Sequence, residues 1–238
     1  MDSAGVKTWQ SGDIVMKLKE FFTAVLVVAG LAAPAGAATF IDQNFMTTDS
    51  PDSNTTIGAT YASVGQVFTV GQSGKLAGVE FNVLKNEDTI GDLTFGIRPL
   101  TPGGAPEALA TSALASTTIN NGDIGVYALP PQSWTSIYVD LSSANIMVSA
   151  GDMLSFILSS VGAQRFYVQT DYNSAYAGGA RWTQTAANGI FTGGATGADL
   201  AFKTYVDISP VPLPAAFPLM LGGLALFGVA ARRRKQTA

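Results

Sequence analysis

Between residues 39 and 209, apolar and polar residues alternate with a period of two in repeated short runs. Gly, Asn, Asp and Pro residues separate the runs. Their apolar members are Val79, Phe81, Val83; Leu93, Phe95, Ile97; Ile137, Val139, Leu141; Leu154, Phe156, Leu158; Phe166, Val168; and Leu200, Phe202. Because successive side chains of a strand point to opposite faces, this pattern predicts strands with one apolar face.

Strands of this kind are typical of antiparallel sheets, in which one face packs on a core and the other meets solvent. Two further strands are predicted at Gln66–Val70 and near Leu114–Ile119, and Glu87-Asp88 is interpreted as a hairpin turn. No sustained i, i+3, i+4 apolar stripe is present in this region. The predicted fold class is therefore all-β: an antiparallel, jelly-roll-like β-sandwich, flanked by an N-terminal signal helix and a C-terminal transmembrane sorting helix.

Composition excludes several chemistries. The 238 residues contain neither Cys nor His, which removes disulfides, thiolate metal sites, imidazole bases and Ser-His-Asp triads. Between Ala38 and Pro210 there are 14 Asp and Glu against 6 Lys and Arg, so this segment carries a net charge of −8. Because nucleic-acid binding requires basic residues against phosphate, we expect no nucleic-acid partner.

The N-terminus predicts export. We interpret residues 1–15 as an extension upstream of the true start at Met16, and residues 16–37 as a signal peptide. Lysines precede the apolar run Phe21–Leu31, and Ala35-Gly36-Ala37 fits the small-residue rule for signal peptidase. Cleavage is expected after Ala37. The alternative is an uncleaved membrane anchor or a buried helix, although this run is short for a span of about 20 residues.

The C-terminus, residues 210–238, combines a proline-containing linker, an apolar helix and a basic stop. The helix is predicted at Ala215–Ala231, which is 17 residues and near the lower limit for crossing a bilayer. Basic residues follow it directly: Arg232, Arg233, Arg234 and Lys235. By the positive-inside rule these residues stay in the cytoplasm, which places the preceding domain, residues 38–209, outside the cell.

This arrangement resembles a PEP-CTERM sorting signal. The motif Val211-Pro212-Leu213-Pro214-Ala215 is similar to the Val-Pro-Leu-Pro-Ala variant of that signal, with Leu213 at the position of the more familiar Glu. The resemblance implies recognition by an exosortase, cleavage near the motif, and export in a Gram-negative bacterium that often makes exopolysaccharide. The alternative is a plain single-span anchor, which needs no Pro-x-Pro before its helix.

The domain at residues 38–209 resembles the sandwich domains called choice-of-anchor domains, which are often found ahead of such sorting tails. The matching segments are Gly65–Val70, Leu93–Arg98, Ala150–Asp152 and Asp199–Tyr205. The resemblance implies a β-sandwich and no agreed activity.

An aromatic and glycine-rich segment, Phe166–Phe191, is the first candidate site. Exposed aromatic rings can stack on the apolar faces of sugars, and neighbouring polar groups can bind hydroxyls. The candidate glycan contacts are Tyr172, Tyr176, Arg181 and Trp182. The alternative is that these aromatic residues pack under loops at the edge of the sandwich.

A polar loop at Thr47–Thr56 is a second candidate. Asp49, Asp52 and Asn54 offer oxygen ligands of the kind that Ca²⁺ prefers, although Asx turns explain such loops more often. No other cofactor is expected.

No catalytic residue is predicted, since no spacing singles out the pair of carboxylates that glycoside hydrolysis needs. Three classes of function remain open. The first is a non-catalytic cell-surface or matrix protein associated with exopolysaccharide. The second is a carbohydrate-binding module, and the third is a carboxylate-based glycoside hydrolase.

Overall fold

The computed structural model describes residues 38–46, 54–58, 60–109, 113–128, 133–161, 164–173, 175–185, 190–193 and 197–208. The predicted start extension, signal peptide, sorting motif and basic stop lie outside the described residues, as do Asp49 and Asp52. Within the described part of the chain, no helix is long and apolar enough to cross a membrane.

The described residues form two antiparallel sheets. Sheet A contains eight strands, in which β14 and β10 pair with the long central strand β4. β1 lies outside β14, β2 and β13 pair with β10, and β7 and β8 pair with β4. The strand bounds are β1 Ala38–Phe45, β2 Asn54–Ile57, β4 Gly74–Lys85, β7 Thr135–Asp140, β8 Met147–Val148, β10 Phe166–Asp171, β13 Asp199–Leu200 and β14 Phe202–Ile208.

Sheet B contains six strands in the order β12-β11-β3-β9-β5-β6. Their bounds are β3 Ser63–Thr69, β5 Leu93–Arg98, β6 Ala115–Ile119, β9 Met153–Ser159, β11 Arg181–Gln184 and β12 Phe191–Thr192. The only helical elements of the described residues are two short 3₁₀ turns, η1 Asn121–Asp123 and η2 Ser142–Ala144.

The two sheets pack face to face as a β-sandwich whose centre is aromatic. Phe81 of sheet A stacks on Phe95 and Phe156 of sheet B, with ring centroids 6.0 and 6.2 Å apart. Phe202 of sheet A contacts Phe156 and Phe68 of sheet B at 5.5 and 6.3 Å. All five rings are fully buried. These contacts confirm the predicted all-β class with antiparallel sheets.

The alternation correctly predicted which residues face the core. Val79, Phe81 and Val83 are buried on β4, while Glu80 and Asn82 between them lie on the outer face. The strand predicted near Leu114–Ile119 is present as β6.

The turn at Glu87-Asp88 is also present, closed by a hydrogen bond from Thr89 N to Asn86 O of 3.0 Å. Its interpretation as a hairpin was wrong, because it joins β4 of sheet A to β5 of sheet B. The turn therefore carries the chain across the sandwich between its two layers. Alternation identifies the two strands but does not indicate which sheet each one joins.

Candidate functional site

The four residues predicted to contact glycan do not share a surface. Tyr176 packs into the core, where its ring contacts Phe202 at 5.1 Å and Phe45 at 5.6 Å. Its hydroxyl donates to Gln43 Oε1 at 2.9 Å, and its backbone N–H donates to Asp199 Oδ2 at 2.9 Å. Burial is the main reason that the pKa of Tyr176 is raised. These contacts serve packing.

Arg181 lies on the inner face of β11, opposite Gln66 of β3, and only 8% of it is exposed. Its guanidinium donates to Thr55 Oγ1 and lies 5.6 Å from the centre of the Tyr172 ring. Tyr172 is 48% exposed, and its hydroxyl donates to Asn54 O at 2.8 Å. The pair closes one end of the sandwich, with Tyr172 as its solvent-facing member.

Trp182 points to the outer face of sheet B, away from Arg181, because the two residues are adjacent on a strand. Gly193 lies against the indole: a Cβ at position 193 would be 3.0 Å from Cη2 of Trp182. Trp182 is half-buried in this position.

Of the three candidate calcium ligands, the structure describes Asn54 alone. Asn54 begins β2, where its Oδ1 accepts from Thr56 Oγ1 at 3.3 Å. Across the described ranges, no group of three or more Asp or Glu residues is placed to hold a metal ion.

The outer face of sheet B is covered by a loop. Arg98, the outward-facing last residue of β5, donates from Nη1 to Ala108 O at 2.9 Å and from Nη2 to Leu109 O at 3.2 Å. Pro106 of the same loop packs over Gly65 of β3. Ile157 and Ser155, which alternation placed on the solvent side of β9, are consequently buried. Burial in this position is also the main cause of the lowered pKa of Arg98.

The outer face of sheet A is the more open one. Its central residues come from β4, β7 and β14, and we call them the sheet A platform. The platform consists of Gly78, Glu80, Asn82, Ser136, Tyr138, Lys203 and Tyr205. Cross-strand pairing places Glu80 directly between Tyr138 on β7 and Lys203 on β14, so three strands contribute to one continuous surface.

Glu80 organises the platform through hydrogen bonds. Its Oε1 accepts from Lys203 Nζ and from Ser136 Oγ, each at 3.0 Å, and its Oε2 accepts from the Tyr205 hydroxyl. Burial alone would raise the pKa of Glu80, but the hydrogen bonds from Tyr205, Lys203 and Ser136 outweigh it and lower that pKa. The carboxylate is therefore held ionised. Burial, together with the hydrogen bond that Tyr205 donates to Glu80, raises the pKa of Tyr205 to about 12.

Two tyrosines form the aromatic part of the platform. The rings of Tyr138 and Tyr205 meet edge to face, with centroids 5.2 Å apart and planes at 80°. Tyr138 lies across Gly78, where a Cβ would come within 2.3 Å of its hydroxyl oxygen, and the hydroxyl donates to Ala77 O at 3.3 Å. Glycine is therefore needed at position 78 for the Tyr138 ring to pack over β4. In this position Tyr138 remains 49% exposed.

A second tyrosine pair lies further along the same face. Tyr167 of β10 is paired with Leu84 of β4, and its ring is 4.8 Å from that of Tyr127. Gly78 and Leu84 are six residues apart on β4, which corresponds to about 20 Å of extended strand. The outer face of sheet A thus carries an aromatic pair at each end of a polar strip.

An open cleft of about 470 Å³ adjoins this face between β7 and β6, the edge strand of sheet B. Hydroxyl and carboxylate groups from both strands line it, among them Thr117, Thr118 and Asp140.

Sequence reasoning missed the platform. It assigned no functional role to Glu80 or Tyr138, and it placed Tyr205 only at the end of the segment Asp199–Tyr205 that resembles choice-of-anchor domains. The available signal was the presence of tyrosine at solvent-facing positions of two predicted strands. The sequence did not indicate that those two strands flank the same neighbour.

The fold and the platform together define an antiparallel β-sandwich domain with one aromatic and polar sheet face. No protein-family model and no curated protein matches the chain. One similar solved structure comprises the cysteine protease and lectin-like domains of Cwp84, a surface layer associated protein of Clostridium difficile. It is 12% identical, with a TM-score of 0.42, and the match covers 68% of this chain and 37% of that one.

A second similar structure is that of Tomato Aspermy Virus, at 10% identity and a TM-score of 0.26, covering 82% of this chain and 100% of that one.

Proposed function

We propose that this chain is an exported, non-catalytic surface or matrix protein that associates with exopolysaccharide through its β-sandwich domain. The observation that carries the proposal is the tyrosine pair of the sheet A platform, in which Tyr138 is exposed, set beside a hydrogen-bonded carboxylate. Aromatic rings provide apolar area for the C–H faces of sugars, and oriented polar groups provide partners for hydroxyls.

The terminal sequences support export and sorting. In this proposal signal peptidase cleaves after Ala37, and the helix at Ala215–Ala231 then holds the protein transiently in the inner membrane. An exosortase next recognises the motif Val211–Ala215 and removes the tail. The domain, for which we propose a jelly-roll-like connectivity, is left at the cell surface or in the matrix.

A dedicated carbohydrate-binding module is the second candidate, and the 49% exposure of Tyr138 favours it. The two candidates differ in affinity and selectivity for one sugar. A matrix protein needs only weak contacts repeated over many copies, whereas a module binds a defined oligosaccharide when isolated.

Glu80 does not have the properties of the general acid of a glycoside hydrolase. The general acid of such an enzyme has a raised pKa, whereas hydrogen bonds lower the pKa of Glu80. Its partners also hold the carboxylate in place within the sheet surface.

Fractionation of the native host tests the proposal. In wild-type cells the mature protein should be recovered with the extracellular matrix. In cells unable to make exopolysaccharide it should be released into the medium, and in exosortase-deleted cells it should stay in the membrane fraction. An identical distribution in the wild-type and polysaccharide-deficient cells would contradict the association with exopolysaccharide.

A further inference from the structure

We propose that the sheet A platform is a binding site for a neutral polysaccharide, whose chain lies along β4 with one sugar against Tyr138. This inference rests on the proposed function, because it names the site and the ligand class of the same association. It is carried by the geometry of the outer face of sheet A.

Tyr138 is the exposed aromatic residue of the platform. A tyrosine on an open sheet face normally loses contact area to its cross-strand neighbours. Tyr138 instead lies over Gly78, which has no side chain, and remains half exposed. The perpendicular ring of Tyr205 borders it on one side. The result is a fixed aromatic surface that a sugar ring can cover without rearrangement of the protein.

The polar groups beside the Tyr138 ring retain hydrogen-bonding capacity. A carboxylate offers about four acceptor positions, and three of those on Glu80 are occupied by described residues. The ammonium of Lys203 has three donors, one of which is directed at Glu80. Ser136 and Tyr205 both donate to Glu80, so their oxygens can still accept. Acceptors and donors next to one another match the dual character of sugar hydroxyls.

The charge of this face and of the whole domain favours a neutral polymer as the ligand. Glu80 and Lys203 form an ion pair of 3.0 Å. The other charged residues on this face are Asp140, Asp207 and Lys75, which leaves one net negative charge. Asp140 and Asp207 lie close enough to raise the pKa of Tyr138, although burial is the larger cause. The segment from Ala38 to Pro210 carries a net charge of −8. A polyuronate would be repelled by this surface, whereas an uncharged chain would not.

The position of the second aromatic pair indicates the direction in which the polysaccharide chain runs. The second aromatic pair, Tyr127 with Tyr167, lies about 20 Å further along β4 on the same face. The polar strip between the two pairs includes Asn82, whose amide donates to Gln169 Oε1 at 2.6 Å. An extended chain that follows β4 meets aromatic surface at both ends of this strip and polar groups between them.

Retention of the purified full chain, kept in mild detergent, on four polymers tests the proposal. The probes are cellulose and chitin as neutral polymers, alginate as a polyuronate, and polysaccharide extracted from the host matrix. We expect retention on at least one neutral polymer and none on alginate at low salt. Tyr138→Ala should weaken that retention by about tenfold, equivalent to about 1.4 kcal/mol.

Tyr172→Ala is the matched control, because Tyr172 is equally exposed at 48% but lies at the end of the sandwich beside Arg181. It should leave retention unchanged. Tyr138→Phe keeps the ring and should bind within about threefold of the wild type, which guards against a folding defect in the alanine variant. Thermal unfolding of each variant checks that the domain is folded.

The outcomes separate the inference from the proposed function. Retention on the host polysaccharide and on alginate, but on neither neutral polymer, would overturn the inference and leave the association with exopolysaccharide intact. Retention that is lost in Tyr172→Ala and kept in Tyr138→Ala would overturn the assignment of the site. Absence of retention on all four polymers would overturn both.

Discussion

Removal of the Phe156 ring is the sharpest test of the sandwich, since this residue joins the two sheets at their centre. Phe156 is fully buried and its ring lies 5.5 Å from Phe202, 6.2 Å from Phe81 and 6.2 Å from Phe95. Truncation of a buried phenylalanine to alanine costs about 3–5 kcal/mol through lost transfer energy and the cavity that remains. Each lost aromatic pair adds about 0.5–1.5 kcal/mol beyond burial. The loss of unfolding free energy in Phe156→Ala should therefore lie at the upper end of the range of about 3–5 kcal/mol.

The assay is urea unfolding of the isolated domain, residues 38–209, with the free energy extrapolated to water. Phe40→Ala is the matched control, because Phe40 is 49% exposed on the edge strand β1, and it should cost less than about 1 kcal/mol. Phe95→Ala should resemble Phe156→Ala. A loss below about 1 kcal/mol for both buried residues would show that the register is wrong, because a slip by one residue turns each side chain to the other face.

Three further predictions follow from the platform and from the termini. The lowered pKa of Glu80 means that its contribution to stability is complete above its unfolded pKa of about 4.3 and is lost as the pH falls through the folded value. Wild type should therefore be more stable than Glu80→Gln near neutrality, and the difference should disappear as the pH falls through the folded pKa of Glu80; a stability difference that does not change with pH would contradict the hydrogen-bonded carboxylate. In an alkaline absorbance titration, Tyr205→Phe should remove a tyrosine that ionises near pH 12, and an unchanged titration above pH 11 would show that Tyr205 is not held by Glu80. Protein recovered from the host should begin at or near Ala38 and lack residues 219–238, as read by N-terminal sequencing and mass spectrometry. An intact tail in cells that contain the exosortase would favour a plain membrane anchor.

Alternation was enough to predict β4, β5, β7, β9, β10 and β14, because one apolar face per strand is a local property of the sequence. The strands β1, β2, β8, β11 and β12 were not predicted. Val79, Phe81 and Val83 are buried on β4 as that pattern requires. The pattern did not indicate that β9 is buried on both faces, because the cover over Ile157 comes from a loop held by Arg98. The periodicity of a strand does not indicate whether a loop from elsewhere in the sequence covers its outer face.

The platform could not be predicted for a similar reason. Glu80, Tyr138 and Tyr205 are separated by more than 50 residues from one strand to the next, and each sits at an ordinary solvent-facing position of its own strand. Their proximity depends on sheet order, which places β7 and β14 on opposite sides of β4. The aromatic segment Phe166–Phe191 was predicted as a candidate site because its rings are close in sequence. The structure distributes these rings between the core, one end of the sandwich and sheet B.

A backbone amide NMR titration of the ¹⁵N-labelled protein with a soluble neutral oligosaccharide such as cellopentaose would locate the sugar on the surface of the sandwich. If the polysaccharide binds the sheet A platform, shifts are expected at Gly78, Glu80, Tyr138 and Lys203, with none at Trp182 on the outer face of sheet B. Shifts confined to the amides around Tyr172 and Trp182, or no shifts with any neutral oligosaccharide, would contradict binding at the platform.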